Sequence, residues 1–180
     1  VIFVIATQDT FKRYEKKYLL SPTQYEALRA ALEPYMGIDS YGRSTICNIY
    51  YDTDQFDLIR TSIEKPVYKE KLRLRSYGTP DTETKVFMEL KKKYKGVVYK
   101  RRESLLLWQA RDYLDRGIAP ERDSQILREI GWFLKTWPVE PKVFLAYERT
   151  ALFGREDANL RITFDENIRW RDTDLDLRRG

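Results

Sequence analysis

The chain contains no histidine and a single cysteine, Cys47, in 180 residues. The first absence removes most zinc sites and any Ser/His/Asp nucleophilic apparatus. The second removes an internal disulfide and any CxxC metal site, and fits a reducing, cytoplasmic compartment. Long apolar runs are missing too. The opening VIFVI is far too short to span a bilayer and has neither a charged leader nor a small-residue cleavage site. It reads as a first strand, and no membrane segment is expected in the chain. Repeats, low-complexity tracts and an interdomain linker are also absent, so residues 1–180 read as a single domain long enough to bury a sizeable core.

What is present is charge. Lys, Arg, Asp and Glu make up 34% of the residues, above the usual share, and the net charge of +5 points to an anionic partner without saying which. Placement must decide. FKRYEKKYLL (11–20) reads as a strand that stops at Ser21 and Pro22, a cap and first position for a helix over 22–35. STICNIYYDT (44–53) is β-branched and aromatic, hence a strand. After a polar connection, YKEKLRLRSYG (68–78), KVFMELKKK (85–93) and VVYKRRESL (97–105) form two hairpins around the turn GTPDTE and Gly96. Between 104 and 137 the apolar period changes from two to about 3.6, which predicts two helices, ending at Gly117 and before Pro138. KVFLAYERTALFG and NLRITFDENIRW return to alternation across GREDAN. The tail RDTDLDLRRG has no clear partner.

Alternation sorts the charge by face. Successive strand residues point to opposite sides, so Lys69, Lys71, Arg73 and Arg75 share one side and Leu72 and Leu74 the other. The pattern recurs: Glu89, Lys91 and Lys93 oppose Met88 and Leu90; Lys100 and Arg102 share a face with Val98; Arg13, Glu15 and Lys17 share one; Arg161, Thr163 and Asp165 oppose Leu160, Ile162 and Phe164. An antiparallel sheet with a solvated polar face is the ordinary solution. A solvated face normally mixes Ser, Thr, Gln and both charge signs, however, and this one is mainly Lys and Arg. Two unit charges about 6 Å apart repel by roughly 3 kcal/mol at an effective dielectric of about 20. Cations so crowded need an anion, and curling of the sheet into a barrel would place them inside.

In order, YEKKYLL and its helix, IYYDT, KLRLRSYG, VFMELKKK with VVYKRR, AYERTAL and LRITFD resemble the VTC domain, the polyphosphate polymerase branch of the triphosphate tunnel metalloenzymes, relatives of the CYTH domains. The resemblance spans about 11 to 170. It implies an α+β fold, an antiparallel β-barrel tunnel with helices packed outside, whose inward basic residues grip ATP and a growing polyphosphate or a triphosphate. By motif, Lys17, Arg73, Arg75, Lys91, Lys100 and Arg149 would be the catalytic cations. Lys71, Arg102, Tyr147 and Arg161 would be further phosphate ligands. Glu15 and Glu89 would hold Mn²⁺ or Mg²⁺, hard cations that take carboxylate oxygens. Each residue has a plainer role open to it: Arg161 could pair with Asp165, Tyr147 could be core, and the two glutamates could simply neutralise neighbouring lysines. The family's last strand, with its metal-binding glutamate, has no counterpart after LDLRRG, so the domain is expected to lack that strand.

Phosphoryl transfer needs in-line positioning and cations around the equatorial oxygens rather than histidine. The resemblance therefore implies transfer of the γ-phosphate of ATP to a polyphosphate chain. A triphosphatase of the same fold is the alternative. CYTH hydrolases resemble ExExK at the first strand, whereas this chain reads Arg13, Glu15, Lys17, which favours gripping a long anion over binding a second metal. A non-catalytic polyphosphate- or nucleic-acid-binding sheet is the alternative of another class. Single-strand binders interleave aromatic platforms with basic residues, but Tyr99 alternates against Lys100 and Arg102, so no nucleic acid is expected.

Overall fold

Ser21 opens the first helix as the sequence predicts. Its hydroxyl accepts from the Gln24 N–H at 3.2 Å while the Gln24 side chain accepts from the Ser21 N–H at 2.9 Å, a reciprocal cap with Pro22 at the first turn. In the computed structural model, which describes residues 10–13 and 16–180, this helix, α1, spans Pro22–Leu32. It ends short of the expected residue 35 because Pro34 has no N–H to extend the ladder.

Among the described residues seven strands form one antiparallel sheet: β1 (Thr10–Arg13), β2 (Met36–Asp52), β3 (Tyr68–Tyr77), β4 (Lys85–Tyr94), β5 (Val97–Leu106), β6 (Glu140–Gly154) and β7 (Arg161–Arg171). Their spatial order is β1-β5-β4-β3-β2-β6-β7. The sheet is not closed. β1 and β7 stand at opposite edges with no pairing between them among the described residues, so the closed barrel expected from the family is not formed by these strands.

The expected strand over 11–20 also falls short. Residues 16–20 leave the sheet, and Leu20 packs instead against a small cluster of Met36, Leu152 and Phe164 that α1 covers through Tyr25 and Leu32. β2 starts eight residues before the predicted position. Between Ile38 and Arg43 its pairing with β6 shifts register, with Gly42 at φ +58° and the Asp39 side chain accepting from the Tyr41 N–H. The turn-like DSYG is therefore a bulge inside a strand.

Helices α2 (Asp57–Ile63), α3 (Leu107–Arg116) and α4 (Gln125–Thr136) lie on the leucine face. Leu58, Leu107, Ala110, Leu127, Ile130 and Phe133 pack there with Leu72, Leu74, Met88, Leu90 and Phe144 to form the main core. Helix α2 occupies what the sequence presents as a polar connection. The buried Asp52 carboxylate makes it possible, accepting from the N–H groups of Thr53, Leu58 and Ile59 at 2.8–3.0 Å and satisfying the helix start. The tail has a partner after all: a 3₁₀ turn, Leu177–Arg179, inserts Leu177 into the main core. No helix among the described residues is long and apolar enough to cross a membrane.

Candidate active site on the basic face

Strand register assembles the opposite face into rows. Tyr50, Arg73, Glu89 and Arg102 lie side by side across β2, β3, β4 and β5. On one side runs Asn48, Arg75, Phe87, Ser104; on the other, Lys71, Lys91, Lys100, followed by Lys69 opposite Lys93. Residues that share a face and a row are close enough to interact directly. The alternation in KLRLRSYG, MELKKK and YKRR therefore converges on one surface, as the sequence predicts.

Glu89 is the centre of that surface and is only 1% exposed. Its Oε2 takes both Nε and NH2 of Arg73, at 2.7 and 2.6 Å, and NH1 of Arg75 lies 3.8 Å away. Oε1 takes Lys100 Nζ at 2.6 Å and Arg102 through Nε and NH2, both at 2.9 Å. Burial pushes the Glu89 carboxyl up, but Arg73, Arg75, Lys100 and Arg102 together override it and hold the group well below the usual carboxylate range. Burial and then Arg73 lower Arg75 as well, and the cation brought nearest to neutral pH is Lys100, the weakest base of the four. Burial lowers its ammonium to about 8, and Arg102 and Arg75 add to the effect against the attraction of Glu89.

Each guanidinium is held on more than one side. Arg73 also donates from NH1 to the Tyr50 hydroxyl at 2.9 Å, and Arg102 from NH2 to the Tyr77 hydroxyl at 2.8 Å, its Cζ 4.2 Å from the Phe87 ring centre. The Tyr50 phenol is pushed up by burial, yet Arg73 and then Arg75 and Lys17 bring it below its ordinary value. Arg75 is buried, donating from Nε to Asn48 Oδ1 at 2.9 Å and from NH2 to the Tyr147 hydroxyl at 3.0 Å. Arg149 grips Asp165 with two bonds of 2.6 and 2.7 Å and lies over the Tyr147 ring. Burial followed by Lys69, Lys91 and Lys17 lowers the Lys71 ammonium. Lys17 lies outside any strand, but its charge bears on both Tyr50 and Lys71, which puts it at the same surface.

Arg161 stands apart. It pairs with Asp39 at 3.6 Å, not with Asp165, and sits opposite Phe153, four residues along β7 from Asp165 and roughly 13 Å away at about 3.3 Å per residue. Glu15 lies outside the described residues. Glu89 does not fit the metal role expected for it: both oxygens are filled by cationic donors, and a divalent ion would have to enter among four positive charges. Among the described residues no three carboxylate, thiol or imidazole side chains gather into a metal-binding group. Residues the sequence reading passed over are Asn48, Tyr50 and Tyr77. Asn48 and Tyr50 were findable, since they alternate with Cys47, Ile49 and Tyr51 in a strand whose other face is core.

The VTC domain family matches residues 12–180, which include the whole basic face and the helices behind it. The chain belongs to the VTC domain family. Subunit 4 of the vacuolar transporter chaperone complex of Schizosaccharomyces pombe is 25% identical over 192 aligned positions, covering 90% of this chain; the chain spans about a quarter, 26%, of that relative's length. Among solved structures, a candidate adenylate cyclase from Bacillus halodurans is similar with a TM-score of 0.49 and 16% identity, over 92% of this chain and 80% of the other. A candidate adenylyl cyclase from Hippeastrum, described as having a dominant triphosphatase activity, gives 0.44 and 18%, over 81% and 70%. In this VTC domain the Glu89 row joins four successive sheet neighbours, β2, β3, β4 and β5.

Proposed function

We propose that this VTC domain binds ATP and polyphosphate on its basic face and transfers the γ-phosphate of ATP to the end of the polyphosphate chain. The observation that carries the reading is the row Tyr50, Arg73, Glu89, Arg102 with Lys100 beside it: forked donors from two strands held on one carboxylate and gathered on one face of the sheet. Planar guanidinium forks match phosphate oxygens in pairs, whereas lysines act as point charges tolerant of ligand position. Arg73 and Arg102, with Arg149 at the side, take the phosphates that react. The rows Lys71, Lys91, Lys100 and Lys69, Lys93 take successive phosphates of the chain, where register sets lysine opposite lysine. Arg75 is too buried to be a principal ligand and holds Tyr147 and Asn48 in place.

Transfer then needs no covalent intermediate. The attacking oxygen is a terminal phosphate of the chain, the leaving group is ADP, and the cations stabilise charge on the equatorial oxygens of the phosphoryl group in flight. Mn²⁺ or Mg²⁺ enters this reading as the counter-ion of the nucleotide, part of the substrate. Enclosure of the face as a tunnel also belongs to the proposal. It is supported by the 1% exposure of Glu89 and 4% of Arg75 on the side opposite the helix-covered leucines.

The test is chain growth. ATP with Mn²⁺ and a short polyphosphate primer should yield long chains resolved on a gel, together with ADP. Orthophosphate with no chain longer than the primer would make the protein a triphosphatase, and no turnover of ATP at all would leave a binding module.

A further inference from the structure

Resting on that reading, we infer that Glu89 is a positioning residue: a buried counter-ion that shapes the phosphate grip before substrate arrives, and not a ligand for the metal. Three observations lead there. The carboxylate is 1% exposed, so it is not an open ligand. Both of its oxygens are saturated by donors from two neighbouring strands, Arg73 of β3 and Lys100 and Arg102 of β5. And every donor it holds is a candidate phosphate ligand that keeps some solvent exposure, 18% for the Arg73 side chain, 20% for Lys100 and 13% for Arg102.

The arrangement has a physical cost and a benefit. Without Glu89, four cations would face one another across adjacent strands, and their repulsion would splay them. With it, the Nε edges of Arg73 and Arg102 are pinned toward one point, which fixes the plane of each fork without a phosphate present. The net charge of the cluster Arg73, Arg75, Lys100, Arg102 and Glu89 is then +3, so part of the raw attraction for triphosphate is given up in exchange for geometry. A counter-ion of this kind weakens ground-state binding and strengthens transition-state fit. A metal ligand would in addition set the Mn²⁺ requirement.

Glu89→Gln separates these roles, because the amide keeps the size of the carboxylate, removes its charge and turns an NH₂ toward the cations. Calorimetry with inorganic tripolyphosphate in EDTA, on the full chain, should show binding about tenfold tighter than wild type. Chain growth should show kcat falling by about tenfold or more. The Mn²⁺ concentration for half activation should stay within about twofold of wild type, since ligand loss typically costs metal affinity far more. Glu89→Asp, which keeps the charge and moves it by one methylene, should bind metal-free tripolyphosphate like wild type and still lose kcat.

Unchanged or weaker metal-free binding by Glu89→Gln, or a Mn²⁺ requirement raised tenfold or more, would overturn the inference. If Glu89→Gln does not fold, Glu89→Asp decides alone, and a wild-type kcat in that variant would sink the idea. Failure of the wild-type protein to bind tripolyphosphate at all would instead remove the proposed function itself.

Discussion

The two faces of β3, β4 and β5 are made by alternate residues of the same strands, yet they obey opposite rules. On one, Leu72, Leu74, Met88 and Leu90 pack against three helices and are almost wholly buried. On the other, Arg75 and Glu89 are nearly as inaccessible and Arg73 and Arg102 are mostly covered, yet among the described residues no buried side-chain nitrogen or oxygen lacks a partner. The leucine face gains from leaving water and is indifferent to atomic detail within its volume. The arginine face is costly to desolvate and is tolerable only when its geometry is kept. Burial alone does not tell core from site; the chemistry of what is buried does. Damage to the first face should appear as lost stability, and damage to the second as lost chemistry.

The largest effect is expected from Arg73→Ala. It removes a two-bond grip on Glu89, the bond to Tyr50 and one phosphate fork, and should lower kcat for chain growth by about 10²–10³-fold. Lys100 and Arg102 still hold Glu89, so the melting temperature should move by only a few degrees. On the opposite face, Leu90→Ala should do the reverse, costing about 2–5 kcal/mol of stability while leaving kcat of the folded protein well below its transition close to wild type. Denaturant unfolding and chain-growth rates on the same preparations check both. An unstable Arg73→Ala with normal kcat would reverse the assignment of the faces.

That division was largely legible in the sequence, because a period of two is a local property and strand register follows from hairpin turns. The hairpins around GTPDTE and Gly96 needed no tertiary information, and they alone bring Arg73, Glu89 and Arg102 into one row. Three features were not legible. The bulge at Asp39–Gly42 carries turn residues, and only pairing with β6 keeps it within a strand. Helix α2 depends on the Asp52 carboxylate reaching N–H groups six and seven residues on, a contact with no periodic signal. The number of cations that converge on Glu89 is the third, since family resemblance gives a residue type and a strand but not the packing around it.

A smaller effect comes from pH and acts on stability and on phosphate binding in opposite senses. Lys100 has an ammonium lowered to about 8 in the fold, against 10.5 ordinarily, mainly by burial. Below about pH 8 it is charged both folded and unfolded, and the penalty of burying the charge is fully present. Between about 8 and 10.5 the unfolded chain binds the proton and the folded one does not, so this group makes stability rise with pH across that window. Over the same window the grip loses a cation, and tripolyphosphate affinity should fall about tenfold. Titrations of binding and of melting temperature should therefore diverge above pH 8. In Lys100→Met both curves should flatten; parallel curves in the wild type would mean that the proton leaves from somewhere other than the grip.

The smallest and sharpest test is Tyr77→Phe. The Tyr77 hydroxyl accepts from Arg102 NH2 at 2.8 Å, and its ring meets Phe87 edge to face at 5.6 Å between centres. Removing the oxygen leaves the ring contact, the Phe87 surface under Arg102 and both bonds from Arg102 to Glu89. If carboxylate anchoring sets the plane of the fork, the loss should be about two- to threefold in kcat/KM, the scale of one neutral acceptor on a charged donor at a half-exposed site. If the tyrosine rather than the carboxylate orients Arg102, the loss should approach that of Arg102→Ala. The comparison of those two variants, with stability unchanged in the first, thus measures how much of the grip is set by Glu89 and how much by the rim around it.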